Sequence, residues 1–273
     1  MRFNITTPSN GASVLTTGTQ TYNDTVVVMK DTILTSSGAN AAGRIDFANT
    51  VLGDSTTAHD LTVNGSSVSF DAAVGSSTGV IGALTLNASG ITQFNGLVNV
   101  GSVATDAPGT VKFNITTPNL TDSVLTTGTQ TYRDAVVLLK DTTLTSSGTG
   151  AAGNIGFVET VMGESTTAHD LTINGANVNF AKSVGSSAAV IGALTVNTSE
   201  ITQFNDVVTV NRITTGASGT VKFNIQAPNL GASVLTSGTC STRPDFGLIG
   251  RKMEYVARRS SPRVGSMIAC TSS

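Results

Sequence analysis

The sequence predicts an all-β chain folded as a right-handed parallel β-helix, and three observations carry that expectation. The first is an internal repeat: Phe3-Asn-Ile-Thr-Thr-Pro recurs at Phe113 and, as Phe223-Asn-Ile-Gln-Ala-Pro, opens a third copy. Residues 3–112 align with 113–222 without insertion, with 72 identities in 110 positions. The second is a finer period carried by Phe3, Tyr22, Phe47, Phe70, Phe94, Phe113, Tyr132, Phe157, Phe180, Phe204 and Phe223, spaced 19, 25, 23, 24 and 19 residues, twice over. These are all the aromatic residues before position 240, and eight of them have Val four residues later. The third is composition: 12% charged and 5% aromatic residues, no Trp and 29 Gly among Thr, Ser, Asn and Val suit short strands and turns, not helices.

Each copy therefore divides into about five coils of roughly 22 residues, too small to bury an apolar face alone but able to close a core by stacking. Alternation around the aromatics, as in Val68-Ser-Phe70 and Val111-Lys-Phe113-Asn-Ile115, marks strands with one inward face. Further strands read Leu61-Thr-Val63, Leu84-Thr-Leu86 and Leu171-Thr-Ile173, bounded by Gly, Asn and Ser. Right-handed winding follows from the strong preference of parallel crossovers. The aromatics form an internal stack over ten steps, a rod of roughly 48 Å at about 4.8 Å per strand. Asn64, Asn87, Asn174 and Asn197, each ending a Leu-Thr-x-Asn unit, are candidates for a ladder of amides at a turn. The rival fold is a string of immunoglobulin-like sandwiches, for which 110 residues is a fitting length. A sandwich has no need of an aromatic-x-x-x-Val signature in every coil.

The solenoid is expected over residues 1–239, as copies 3–112, 113–222 and a partial 223–239. Residues 240–273 form a basic tail of different composition, with 6 Lys+Arg against 2 Asp+Glu and both cysteines, Cys240 and Cys270; the preceding residues hold 9 against 15. The tail is expected to be disordered, with a short basic amphipathic helix around Ile249, Met253 and Val256 as the alternative. No apolar run approaches the roughly 18 residues of a membrane span, and Met1-Arg-Phe-Asn-Ile-Thr-Thr is not a secretory leader. The abrupt start and the break after Thr239 suggest an internal piece of a longer repeat protein, with the tail either a cap or the product of a frameshift. A net charge of −2 argues against nucleic-acid or acidic-membrane partners.

The strings Thr-Thr-Gly-Thr-Gln-Thr-Tyr (16–22 and 126–132), Lys-Asp-Thr-Thr-Leu-Thr-Ser-Ser-Gly (140–148), Leu-Thr-Val-Asn (61–64 and 194–197) and Ala-Val-Gly-Ser-Ser (73–77) resemble the β-strand repeats of large bacterial surface proteins, the filamentous-haemagglutinin-like and autotransporter-like adhesins. The resemblance implies a β-helical stalk in a much longer secreted or surface-anchored protein, with host-cell, matrix or neighbouring-cell components as partners and an extracellular or cell-surface location.

Chemistry was sought at every titratable cluster. His59 and His169 occupy equivalent places in Ser-Thr-Thr-Ala-His-Asp, with Asp60 or Asp170 adjacent and Asp54 or Glu164 five residues before. One imidazole per copy is a poor metal site, and an exposed loop entering the next strand explains it better. A hydrolase or lyase needs a unique pair of carboxylates or a bound cation, whereas the acids recur once per copy in turns (Asp24 and Asp134, Asp31 and Asp141). Lys30-Asp31 and Lys140-Asp141 read as solvated loop charges. Thr17, Thr19 and Thr21 supply one Thr-x-Thr rung per copy, too few for an ice-binding plane, and calcium-binding nonapeptides are absent. The expectation is a non-enzymatic structural or adhesive stalk without catalytic, metal or cofactor residues. A carbohydrate-active or carbohydrate-binding β-helix is the alternative.

Overall fold

In the computed structural model, residues 1–5, 11–54, 57–116, 122–165, 167–216, 218–225, 233–236 and 268–270 are described. The chain is all-β, 56% strand and 4% helix, and stacks into a parallel β-solenoid of about nine turns. Its strand ladders are parallel throughout, which excludes the antiparallel sandwiches.

One turn of the first repeat runs through three short strands, Thr32–Ser36, Arg44–Phe47 and Val51–Gly53. Each pairs with its counterparts above and below, so the wall consists of three columns. Column I contains Val14–Thr16, Thr32–Ser36, His59–Gly65 and Ile81–Ala88. Column II contains Gln20–Tyr22, Arg44–Phe47, Ser67–Phe70, Ile91–Phe94 and Thr110–Phe113. Column III contains Val26–Val28, Val51–Gly53 and the single bridge residue Val74. Period-2 alternation puts one face of each strand inside: Arg44–Phe47 reads exposed, buried, intermediate, buried. Val26, Val51, Val74 and Val98, the residues four after an aromatic, pair in succession and are all buried.

Gly75 and Gly185 mark the corner after the column III valine, with φ of +72° and +69°. A side chain there would be strained by the left-handed backbone and would run into the carbonyl of Asn99 or Thr209 one turn above. That is the physical content of the Val-Gly-Ser-Ser string in each copy.

The junction between repeats permutes the columns. Val98–Thr105 is one long strand. Its first half carries Val124–Thr126, and its second half carries Gln130–Thr131 through Val103 and Ala104. Thr110–Phe113 in turn carries Ala135–Leu138. Column III of the first repeat thus continues as the Val124–Thr126 and Thr142–Ser146 column of the second, column I as the Tyr132 column, and column II as the Val136 column. From Tyr22 to Tyr132 the chain makes four full turns, ending at Phe47, Phe70, Phe94 and Phe113, and then two of the three sides of a fifth. This refines the ten aromatic steps read from the sequence: eight are whole turns, and the two 19-residue steps into Tyr22 and Tyr132 are two sides each.

Of the tail, Ile268–Cys270 adds a parallel strand to Val234–Thr236. The segment around Ile249, Met253 and Val256 and the residue Cys240 lie outside the described residues.

Candidate functional site

The aromatic residues form one continuous internal stack. Within a column the rings lie nearly parallel at 4.8 Å (Phe47–Phe70, 3°), 5.4 Å (Phe70–Phe94, 7°), 5.8 Å (Phe94–Phe113, 13°), 4.9 Å (Phe157–Phe180, 4°) and 5.0 Å (Phe180–Phe204, 1°). Tyr22–Phe47, Tyr132–Phe157 and Phe204–Phe223 are also stacked. At the two column changes the geometry switches to edge-on: Phe3–Tyr22 at 5.8 Å and 85°, Phe113–Tyr132 at 5.7 Å and 87°. Rings in register repeat each other's orientation, whereas rings meeting across a column boundary present an edge to a face, the other favoured quadrupole arrangement.

The structure also explains why each repeat places Tyr at the column change. The Tyr22 hydroxyl donates to Gln20 Oε1 (2.7 Å) and the Tyr132 hydroxyl to Gln130 Oε1 (2.9 Å). Each glutamine amide nitrogen then donates to a backbone carbonyl one turn on, Thr35 or Thr145, and to the Thr16 or Thr126 hydroxyl. Burial pushes the Tyr22 hydroxyl up to about 12 and raises Tyr132 further, so both stay neutral donors. Reading Tyr as an interchangeable member of the aromatic series misses this network; the Gln-Thr-Tyr spacing, present in both copies, is its signal.

His59 and His169 are not in loops. Each begins a strand, and its side chain is only 14% or 13% exposed, which corrects the loop reading. Nδ1 lies 3.5 Å from Asp31 or Asp141 in the turn below, and His169 Nε2 is 3.8 Å from Glu164. The acids form a carboxylate-to-backbone ladder: Asp31 accepts from the Asp60 N–H (3.0 Å) and Asp60 from the Ala83 N–H (2.7 Å), as Asp141 does from Asp170 and Asp170 from Ala193. Here the pairing slips by a bulge between Ile81 and Leu84, and again between His169 and Leu171. The Asp60 and Asp170 carboxylates press against Gly82 and Gly192, where a Cβ would collide with them. Asp31 and Asp141, 75% and 77% exposed, keep the solvated character read from the sequence while gaining a structural bond. Among the described residues no three His, Cys, Asp or Glu side chains converge on a metal position.

The asparagine ladder exists, at strand positions instead of a turn: Asn87 donates to Asn64 Oδ1 (2.7 Å) and Asn197 to Asn174 Oδ1 (2.9 Å). A second amide ladder joins Asn95 to Asp71 (2.9 Å) and Asn114 to Asn95 (2.8 Å). Between them an open groove of about 390 Å³ is lined by Asn40, Arg44, Ser69, Asp71, Gln93 and Asn95 among others, and no aromatic ring contributes to it.

Asp24 and Asp134, equivalent in sequence, differ in burial. Asp24 is exposed, while Asp134 is 1% exposed because the turn containing Thr105, Asp106 and Gly109 lies beneath it. Neither Asp134 carboxyl oxygen has a hydrogen-bond partner of ordinary geometry among the described residues. Burial pushes the group up to about 6; the Thr105 hydroxyl pulls it down and the Asp106 carboxylate adds to the rise. Nothing in the sequence distinguishes the two aspartates, because the difference is the turn below.

Comparison of the chain with family models, with curated proteins and with solved structures returns no match.

Proposed function

We propose that the chain is a non-enzymatic stalk segment, a stiff spacer of the kind found in bacterial surface adhesins, working outside the cell as part of a longer protein. The observation that supports this reading most directly is the unbroken ring stack through the repeat junction, Phe94 to Phe113 to Tyr132 to Phe157, so that two repeats share one core. A solenoid whose repeats share a core bends and breaks as one rod. The polar residues most conspicuous in the sequence are engaged in bonds between turns: Asp60 and Asp170 cap backbone N–H groups, and the asparagines bond one another. The test is mechanical and enzymatic together. Electron microscopy of the purified chain should show a rod about 45 Å long for nine turns, and prolonged incubation with pectic or other acidic polysaccharides, with and without calcium, should release no unsaturated or reducing ends. Turnover abolished by Asp60→Ala or Asp170→Ala would sink the proposal.

The second reading, carbohydrate binding without catalysis, is favoured by one feature, the polar groove beside Arg44 and Asp71. Against it, the rings that would stack on a sugar are inside. A glycan array probed with the full chain and with Asp71→Ala separates the two, since only a groove binder loses signal in the variant.

A further inference from the structure

The two repeats carry an identical exposed patch. Lys30, Asp31, Thr57, Ala58 and Asp60 in the first are matched by Lys140, Asp141, Thr167, Ala168 and Asp170 in the second, and all ten residues are exposed. The members adjoin through the Asp31 to Asp60 hydrogen bond in one copy and the Asp141 to Asp170 bond in the other. In a solenoid whose repeat held a whole number of turns, Leu171 would stand above Leu61 and the two patches would lie on one line along the rod. They do not. Followed upward by backbone partners, Leu61 leads to Leu84, Val103, Gln130, Ile155 and then Val178, in the aromatic strand of the second repeat. Leu171 instead stands above Thr142, in the column that descends through Leu144, Val124 and Val98 to Val74.

We propose that the 110-residue repeat is a rotating display module: because it ends two sides into a turn, each repeat presents the Lys-Asp-Thr-Ala-Asp patch one face round from the last, and the same face returns only after three repeats. The patches are one third of a turn apart, about 120°, and about 22 Å apart along the axis at roughly 4.8 Å per turn. This arrangement fits separate partner molecules that arrive radially, one per repeat, without competing for space. It does not fit a single flat partner engaging both patches at once. The inference concerns the outer surface of the same rod as the stalk reading but rests only on register, and it stands or falls apart from that reading.

The test uses the full chain and a Fab selected against the patch. Fab-sized partners on one face at this spacing would collide, so an in-phase repeat admits one Fab per chain. The rotated repeat admits two, which mass photometry counts and negative-stain microscopy shows pointing in directions about a third of a turn apart. Lys140→Ala with Asp141→Ala should reduce the count to one. A second measurement needs no Fab. Lys112→Cys paired with Val137→Cys, backbone partners across the junction, should form a disulfide found by peptide mapping, and Lys112→Cys with Thr131→Cys should not. One Fab on the parent chain, two Fabs on the same side, or cross-linking of the 112/131 pair in place of 112/137 would each overturn the proposal.

Discussion

Truncation of Phe180 to Ala probes the ring stack where it is most regular. The ring is 1% exposed and lies between Phe157 at 4.9 Å and Phe204 at 5.0 Å, with interplanar angles of 4° and 1°. Phe-to-Ala changes in cores cost about 3–5 kcal/mol, with the larger values where the surroundings cannot close the cavity. Here they cannot: Phe157 and Phe204 sit on strands fixed in register to the Phe180 strand on both sides, so neither ring can move inward without breaking a ladder. Each lost ring pair adds about 0.5–1.5 kcal/mol beyond burial, which places the expected loss in the upper half of the range, about 4–5 kcal/mol. Denaturant titration followed by circular dichroism measures it, with Phe180→Leu as a control expected to cost far less. Because a solenoid can unfold piecewise, hydrogen exchange should place the loss around Ile155–Phe157, Val178–Phe180 and Ile201–Phe204. A loss below about 1 kcal/mol would mean the ring is not a structural member of the core, and the internal stack would fail as the basis of the fold.

Tyr132→Phe leaves buried Gln130 Oε1 without its donor and should cost about 1–3 kcal/mol in the same titration; an unchanged midpoint would show that the hydroxyl is dispensable. Thr92→Val should stabilise by about 1 kcal/mol, since the buried Thr92 hydroxyl has no partner, while the aligned Thr202→Val should destabilise because Thr202 shares a 2.9 Å bond with Thr198 where the first repeat has Ala88. Shifts of the same sign in both variants would refute that argument. Asp134→Asn tests the buried acid. With its folded value raised to about 6 from 3.8, Asp134 opposes folding above pH 6, and the penalty fades as the pH falls through 6 and is gone below about 4, where the unfolded chain is protonated too. Allowing for partial solvent screening, the variant should gain about 1–2 kcal/mol over the parent at pH 7.5 and nothing at pH 4, read as a difference in thermal midpoint; a gain independent of pH would exclude titration of Asp134 as its cause.

The parts of the architecture legible in the residues are those set by local alternation and repetition. Val-Ser-Phe and Leu-Thr-Val patterns put Val68, Phe70, Leu61 and Val63 inside, because a strand alternates faces whatever lies above it. The recurrence of one ring and one valine per coil implied stacked coils, because no other packing gives every copy the same neighbour. The placement of His59 at a strand start and the burial of Asp134 were not legible, since both depend on residues 18–29 positions away in the turns next to them.

What the sequence by itself determined is the coil, its inward face and the identity of its core residues; what only the tertiary structure decided is phase. The 19-residue step occurs as Phe94 to Phe113 and again as Phe113 to Tyr132. The first is a complete turn, with the rings in register at 13°; the second covers two sides, with the rings at 87°. The same number of residues serves both because corners store variable lengths of chain: a full turn takes 29 residues from Leu34 to Val63 and 19 from Leu86 to Thr105. Spacing along the chain therefore counts residues but not sides, and only backbone pairing with the turn below distinguishes a repeat that restarts on the same face from one that restarts on the next.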